Sequence, residues 1–232
     1  MVYALDDDIW FPDPHFGEED GLFAVGGDLS IDRLILAYYN GIFPWYSFRK
    51  EDNEGLPADF LNPDGTPLIR WYCPMQRFVI FPNEIHISHT MRQMIRRGGY
   101  DVTINKDFSG VIRNCSELRI NERGAWLGDH IIEAYTKLHE QNIASSVEVW
   151  DSEGKLVGGL YGVNIGHTFI GESMFSLVPS GSKLALIYLA LLMQKHGGKM
   201  IDCQLETPHL KSMGGRYIPY EEYLSILRST DE

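Results

Sequence analysis

The stretches "GGLYGVNIGHTFIGESMFS" (158–176) and "SGSKLALIYLALLMQKHGGKMIDCQLE" (180–206) decide how this chain folds. In the first, Leu160 to Val163 and His167 to Ile170 are strand-like runs around the turn Asn164-Ile165-Gly166, the pattern of a β-hairpin. The second is a long apolar helix, capped near Ser180 or Ser182 and stopped by Gly197-Gly198, with the strand "KMIDCQLE" after it. An antiparallel hairpin followed by a strand–helix–strand unit predicts an α+β fold with a mixed sheet. One residue does not suit the pattern. Glu172 lies in "GESMF", among glycine, methionine and phenylalanine, where burial is expected. A buried carboxylate is costly, so it is paired, exposed after all, or working.

Outward from this unit, "RFVIF" (77–81) and "DVTIN" (101–105) read as strands flanking the helix "SHTMRQMIRRGG" (88–99). Helices are expected over about 108–115 and 129–140, a strand at "SSVEVWD" (145–151), and a last helix at "EEYLSILRS" (221–229). Nearer the start, Asp28 or Ser30 caps a helix with Leu34, Ile35 and Tyr38 on its apolar face, and Gly41 ends it. Residues 49–67 are charged, proline-bearing and without periodicity, so they read as a surface loop. The expected division is a small N-terminal α/β domain, 1–75, and a larger domain, 76–232.

Of 232 residues 44% are hydrophobic, ample for a packed core. The acidic, proline-broken start "MVYALDDDIWFPDPHFGEED" is unlike a secretory signal, and the apolar run Leu184 to Met193 is too short to span a bilayer. Cys73, Cys115 and Cys203 are odd in number and lack CxxC spacing, which suggests neither a disulfide framework nor a zinc site. A cytoplasmic, metal-free protein is expected. The net charge of −12 argues against a general nucleic-acid binder. Its distribution is uneven, however: Arg77, Arg92, Arg96, Arg97, Lys106, Arg113, Arg119 and Arg123 gather in one part of the chain. They are either solvated helix faces or a modest basic patch suited to one nucleic-acid element.

By alternation, "MIDCQLETPHL" puts Ile201, Cys203 and Leu205 on one side of a strand and Asp202, Gln204 and Glu206 on the other. A carboxylate beside a carboxamide can orient an amine and hold a carbonyl, which is acyl-transfer work. A solvent-facing edge strand would give the same pattern, but a strand following so apolar a helix is expected at the centre of a sheet. Trp45 and Trp126 sit in loop-like contexts, as core lids or as platforms for unpaired bases.

"NGIFPWYS", "SSVEVW", "LVGGLYGV", "GESMFS" and "IDCQ", in this order over nearly the whole chain, resemble the leucyl/phenylalanyl-tRNA–protein transferases. The resemblance implies a GNAT-like acyltransferase domain behind a small α/β domain, with aminoacyl-tRNA as donor and no metal, coenzyme A or other cofactor. Leucine or phenylalanine, and methionine less readily, would pass to proteins with N-terminal arginine or lysine, marking them for degradation in bacterial cytoplasm. A monomer is expected. By carry-over, Gln204 sits at the reacting centre, Asp202 orients it or binds the cationic acceptor, and Glu172 faces an amine. Leu160, Phe169, Met174, Leu189 and Ile201 match the aminoacyl side-chain pocket. Trp45, Trp126 and Tyr135 match the surroundings of the terminal adenosine, and Arg77, Arg92, Arg96, Arg97, Arg113 and Arg119 the tRNA-binding region.

The chain departs from the family pattern at Trp71-Tyr72-Cys73-Pro74, where "WWSP" is common, at Leu189, often aromatic, and at Leu177, often arginine. The 49–67 loop is longer than usual and the C-terminal tail shorter. None of these removes a proposed catalytic residue. Among rivals, an acyl-CoA transferase lacks its Q/R-x-x-G-x-G/A loop here, and a non-catalytic tRNA-end binder has no need of Asp202 and Gln204. A peptidoglycan aminoacyl-tRNA ligase shares the donor but lacks these motifs.

Overall fold

In a computed structural model, residues 1–47, 54–55, 57–63, 65–119 and 128–229 are described, the side chain of Arg119 apart. The chain forms two compact units: Met1–Met75 with Ser116–Lys137, and Gln76–Cys115 with Leu138–Glu232. The first holds a sheet of β1 (Tyr3–Leu5), β2 (Leu22–Gly26), β3 (Phe43–Pro44) and β4 (Arg70–Tyr72), in the order β1-β2-β4-β3. Helix α1 (Ile31–Tyr39) begins where the Ser30 hydroxyl accepts the Arg33 N–H, which satisfies one of the orphan donors of its first turn. It buries Leu34, Ala37 and Tyr38.

The second unit is built on a seven-stranded sheet of β5 (Gln76–Ile80), β6 (Tyr100–Ile104), β7 (Ala144–Asp151), β8 (Leu156–Ile165), β9 (Thr168–Ser176), β10 (Met200–Asp202) and β11 (Arg216–Pro219). Their order is β11-β5-β10-β9-β8-β7-β6, and only β9 and β10 run parallel among these neighbours. The remaining helices are α2 (His89–Arg97), α3 (Phe108–Arg119), α4 (Asp129–Glu140), α5 (Gly181–Lys195), α6 (Pro208–Ser212) and α7 (Tyr220–Leu227). The α+β architecture with a mixed sheet, read from the sequence, is the one the chain adopts, and β10 is central as expected.

One face of this sheet is covered by α5, which is apolar nearly all round. Val147, Leu160, Phe169 and Ile201 from four adjacent strands join Ala185, Leu186 and Leu189 of α5 and Met91 of α2 in one core cluster. Each large apolar side chain so buried contributes about 1.5–3 kcal/mol. The opposite face is covered by α3: Phe108 meets Tyr161 edge-on at 5.8 Å, and a Cβ on Gly159 would lie 3.2 Å from Val111.

Two local expectations are corrected. Ser180 is left-handed and caps nothing with its side chain; the Ser176 hydroxyl at the end of β9 takes the Ser182 N–H instead, at 2.7 Å. The strand "KMIDCQLE" ends at Asp202, because Gln204 turns into the left-handed region with φ of 56°. Among the described residues no helix is long and apolar enough to cross a membrane.

Candidate active site

The parallel strands β9 and β10 pair with Ile201 opposite Phe169 and Asp202 opposite Ile170. Helix α5 connects them, so both strands end toward the turn that precedes it, and ligands of such crossovers bind at that end. Between β8 and β9 the register moves from Gly162↔Gly171 to Tyr161↔Ser173, and Glu172 is the extra residue of this β-bulge. A bulge re-aims the side chain it carries. Glu172 is accordingly half-buried rather than enclosed. A Cβ on Gly171 would lie 3.4 Å from the Asp202 carbonyl oxygen, so the bulged segment runs beside the end of β10.

Asp202 is fully buried, and donors surround it. Arg77 of β5 grips it with Nε to Oδ1 at 2.9 Å and Nη2 to Oδ2 at 2.9 Å. The Tyr223 hydroxyl of α7 donates to Oδ2 at 2.9 Å, and the Gln204 backbone N–H to Oδ1 at 2.8 Å. Burial first, and then the Asp202 charge, hold the Tyr223 phenol well above its ordinary pKa, so it stays a donor. Desolvation and then Asp202 likewise push up the Cys203 thiol, which keeps it from acting as a thiolate. The expected sharing of one strand face by Asp202 and Gln204 is therefore corrected: Asp202 is enclosed among donors, and the chain turns at Gln204, whose N–H bonds back to the Asp202 carboxylate. Gln204 is half-buried, and its left-handed backbone costs a non-glycine residue about 1–3 kcal/mol.

All five residues of the expected side-chain pocket come together on the α5 side of the sheet. Leu160, Phe169, Leu189 and Ile201 share the core cluster, and Met174, opposite Leu160, packs against it half-buried. Beyond Phe169 and Leu189 a cavity of about 320 Å³ opens toward His167 and His196.

The residues expected at the nucleic acid fare unevenly. Trp45 is 42% exposed and meets Tyr72 edge-on at 5.4 Å, so it can offer a ring face. Tyr135 is corrected: it is fully buried, its hydroxyl bonded to that of Tyr38, and presents no face for stacking. Trp126 lies outside the described residues. Arg77 is also corrected, since the Asp202 pair leaves it only 1% exposed and out of reach of phosphate. Arg92, Arg96 and Arg97 are exposed on α2, and Arg113 on α3. Met91 places α2 on the α5 side of the sheet and Val111 places α3 on the other, so these arginines do not form one patch. For Arg119 the helix is described but not the side chain.

The family described as "Leucyl/phenylalanyl-tRNA protein transferase" matches residues 79–228, and its N-terminal domain matches 27–56. The chain belongs to the leucyl/phenylalanyl-tRNA–protein transferases. A relative of that name from Flavobacterium johnsoniae is 46% identical over 229 residues, covering 98% of this chain and 100% of its own. Another from Syntrophobacter fumaroxidans is 42% identical, covering 97% and 89%. A conserved protein of unknown function from Bacteroides thetaiotaomicron is a distant structural neighbour, with a TM-score of 0.43 at 12% identity over 62% of this chain and 58% of that one.

As an aminoacyltransferase of this family, the chain needs a place where an amine meets an ester carbonyl. The Asp202–Gln204 turn at the end of β10 and the Glu172 bulge within β9 supply a carboxamide and a carboxylate on neighbouring strands, next to an apolar cluster. Two residues of this arrangement escape a sequence reading. Arg77 and Asp202 are 125 positions apart, and Tyr223 looks like any aromatic on an amphipathic helix. Only the β5–β10 pairing brings Arg77 into reach.

Proposed function

We propose that the enzyme moves leucine or phenylalanine, and methionine less readily, from charged tRNA to the α-amino group of proteins beginning with arginine or lysine. The products would carry a bulky N-terminal residue that marks them for degradation in the cytoplasm, and the enzyme would act as a monomer. The observation that carries this reading is Gln204, held left-handed where β10 ends beside the Glu172 bulge of β9. In this reading the acceptor's neutral α-amine attacks the ester carbon, the C–O bond to the terminal ribose breaks, and the ribose oxygen takes up the proton the amine gives up. Ester aminolysis is downhill, so positioning the reactants and keeping the amine neutral are the main tasks. Gln204 holds the reacting carbonyl or amine, Asp202 orients Gln204, and Glu172 holds the ammonium of donor or acceptor. Leu160, Phe169, Met174, Leu189 and Ile201 receive the donor side chain, where methionine tolerates branched and aromatic guests alike. Trp45 and Trp126 stack on the terminal adenosine, and Arg92, Arg96 and Arg97 meet the acceptor stem. Residues 1–75 serve as the small domain that carries Trp45, and 76–232 as the GNAT-like catalytic domain.

The test is transfer of labelled leucine, phenylalanine and methionine from charged tRNA to a peptide with N-terminal arginine, beside an alanine peptide and an acetyl-CoA reaction. Label is expected on the arginine peptide alone, with methionine the slowest donor. Acetylation instead, or label on both peptides, would sink the reading.

A further inference from the structure

We propose that Arg77 and Tyr223 are positioning residues of the transfer reaction, acting through Asp202 to hold Gln204 in its left-handed conformation. This rests on the placement of Gln204 at the reacting centre proposed above. The four groups come from separate parts of the second unit: Arg77 from β5, Asp202 from β10, Gln204 from the turn after it and Tyr223 from α7. Each Asp202 oxygen takes the guanidinium and one further donor, with Arg77 Nε also reaching Oδ2 at 3.1 Å. Oδ1 is shared by Arg77 Nε and the Gln204 N–H, and Oδ2 by Arg77 Nη2 and the Tyr223 hydroxyl. The planar fork of Arg77 therefore fixes the plane of the carboxylate, and the Tyr223 hydroxyl adds a second restraint at Oδ2. The guanidinium carbon also lies 4.8 Å from the centroid of the Tyr223 ring, so the same side chain backs the cation.

Gln204 is where this restraint is used. A left-handed non-glycine residue reverts to extended backbone unless its surroundings over-determine it. Its carbonyl takes the Phe78 N–H at 3.3 Å, and the bond from its own N–H to a fixed, charged oxygen adds the stronger restraint, since charge-assisted bonds are the strong ones. A buried ion pair contributes little net stability compared with an apolar packing of the same volume, so its convergence on one strained backbone at a strand end fits a positioning role better than a stabilising one.

Tyr223→Phe isolates the effect, because the ring and its contact with Arg77 remain while one hydrogen bond is lost. Three readouts on the full chain decide it: steady-state transfer with leucyl-tRNA and an arginine peptide, the backbone amide resonance of Gln204 in substrate-free enzyme, and thermal unfolding. The expected result is a kcat about tenfold lower, KM for both substrates within about twofold, a displaced Gln204 amide signal and a melting curve that leaves the enzyme folded at assay temperature. Asp202→Asn, which keeps the shape but loses the charge, should displace the amide further and lower kcat more. An unmoved Gln204 amide, an unchanged kcat, or a loss that follows the unfolded fraction would overturn the proposal. A wild-type enzyme that transfers nothing would overturn the functional reading instead, and the amide signal, read without substrate, would still decide whether Arg77 and Tyr223 hold Gln204.

Discussion

Gln204 is held in a conformation that glycine adopts without strain, and the enzyme keeps a side chain there. Gln204→Gly should therefore make the protein more stable while ending its activity. The left-handed conformation costs an L residue about 1–2 kcal/mol. Glycine gives back about 0.5–1 kcal/mol through the entropy of the unfolded chain. The net gain expected is up to about 1.5 kcal/mol, read as a higher urea midpoint at constant slope, together with a transfer rate near background. A lower midpoint would mean that the side chain contributes to the fold, and an active glycine variant would remove Gln204 from the chemistry. The pair Asp202 and Gln204 was legible in "IDCQ" because a carboxylate and a carboxamide at that spacing are unusual company for an apolar strand. Their relation was not, because alternation assumes the strand continues, and an Asp side chain that takes the N–H two residues on ends it. Glu172 was legible as an anomaly, but the bulge that explains it depends on a register with β8 that no local pattern carries.

At the scale of elements, the long helix and the hairpin beneath it were readable from period and punctuation, whereas their closeness was not. Helix α5 rests on bare backbone: a Cβ on Gly158 would come within 2.8 Å of the Gly181 carbonyl carbon and 2.9 Å of its Cα. Both atoms are main chain and cannot swing away as a side-chain tip would. Gly158→Ala must therefore lift the first turn of α5 off β8, at a cost of about 1–3 kcal/mol. The lift would also loosen the Ser176–Ser182 bond that starts the helix. The expected reading is a lower urea midpoint and slower transfer, since α5 supplies Leu189 to the side-chain cluster. Gly166→Ala, in the hairpin turn, serves as the comparison, with no contact tighter than 3.3 Å but a φ of 55°. It should lose stability through backbone strain and leave transfer at folded concentration unchanged. Equal losses of transfer in both variants would mean that the close seat of α5 has no part in the activity. The separation of α2 from α3 by the sheet belongs to this scale too. In sequence their arginines form one run, and only the covering of opposite sheet faces divides them.

Over the whole molecule, a body of net charge −12 must accept a polyanion, so attraction has to be local. Helix α2 meets that need: Arg92, Arg96 and Arg97 are exposed, no acidic residue lies within the helix, and Gly98 follows. If these arginines touch phosphate, binding of tRNA must fall with salt by counterion release, and the slope must shrink as the arginines are removed. Replacing all three by alanine should flatten the plot of log affinity against log salt by about 2–3, roughly 0.7–0.9 for each phosphate left without its arginine. The weakening should be the same for leucyl-, phenylalanyl- and uncharged tRNA, because phosphate contacts do not report the amino acid. Arg113→Ala supplies the discriminating comparison. It removes another exposed arginine, from the other side of the sheet, and the slope should stay as in the unaltered protein. A slope reduced as much by Arg113→Ala as by a single α2 substitution would mean that tRNA reaches around both faces, and the basic run in the sequence would then describe one continuous footprint after all.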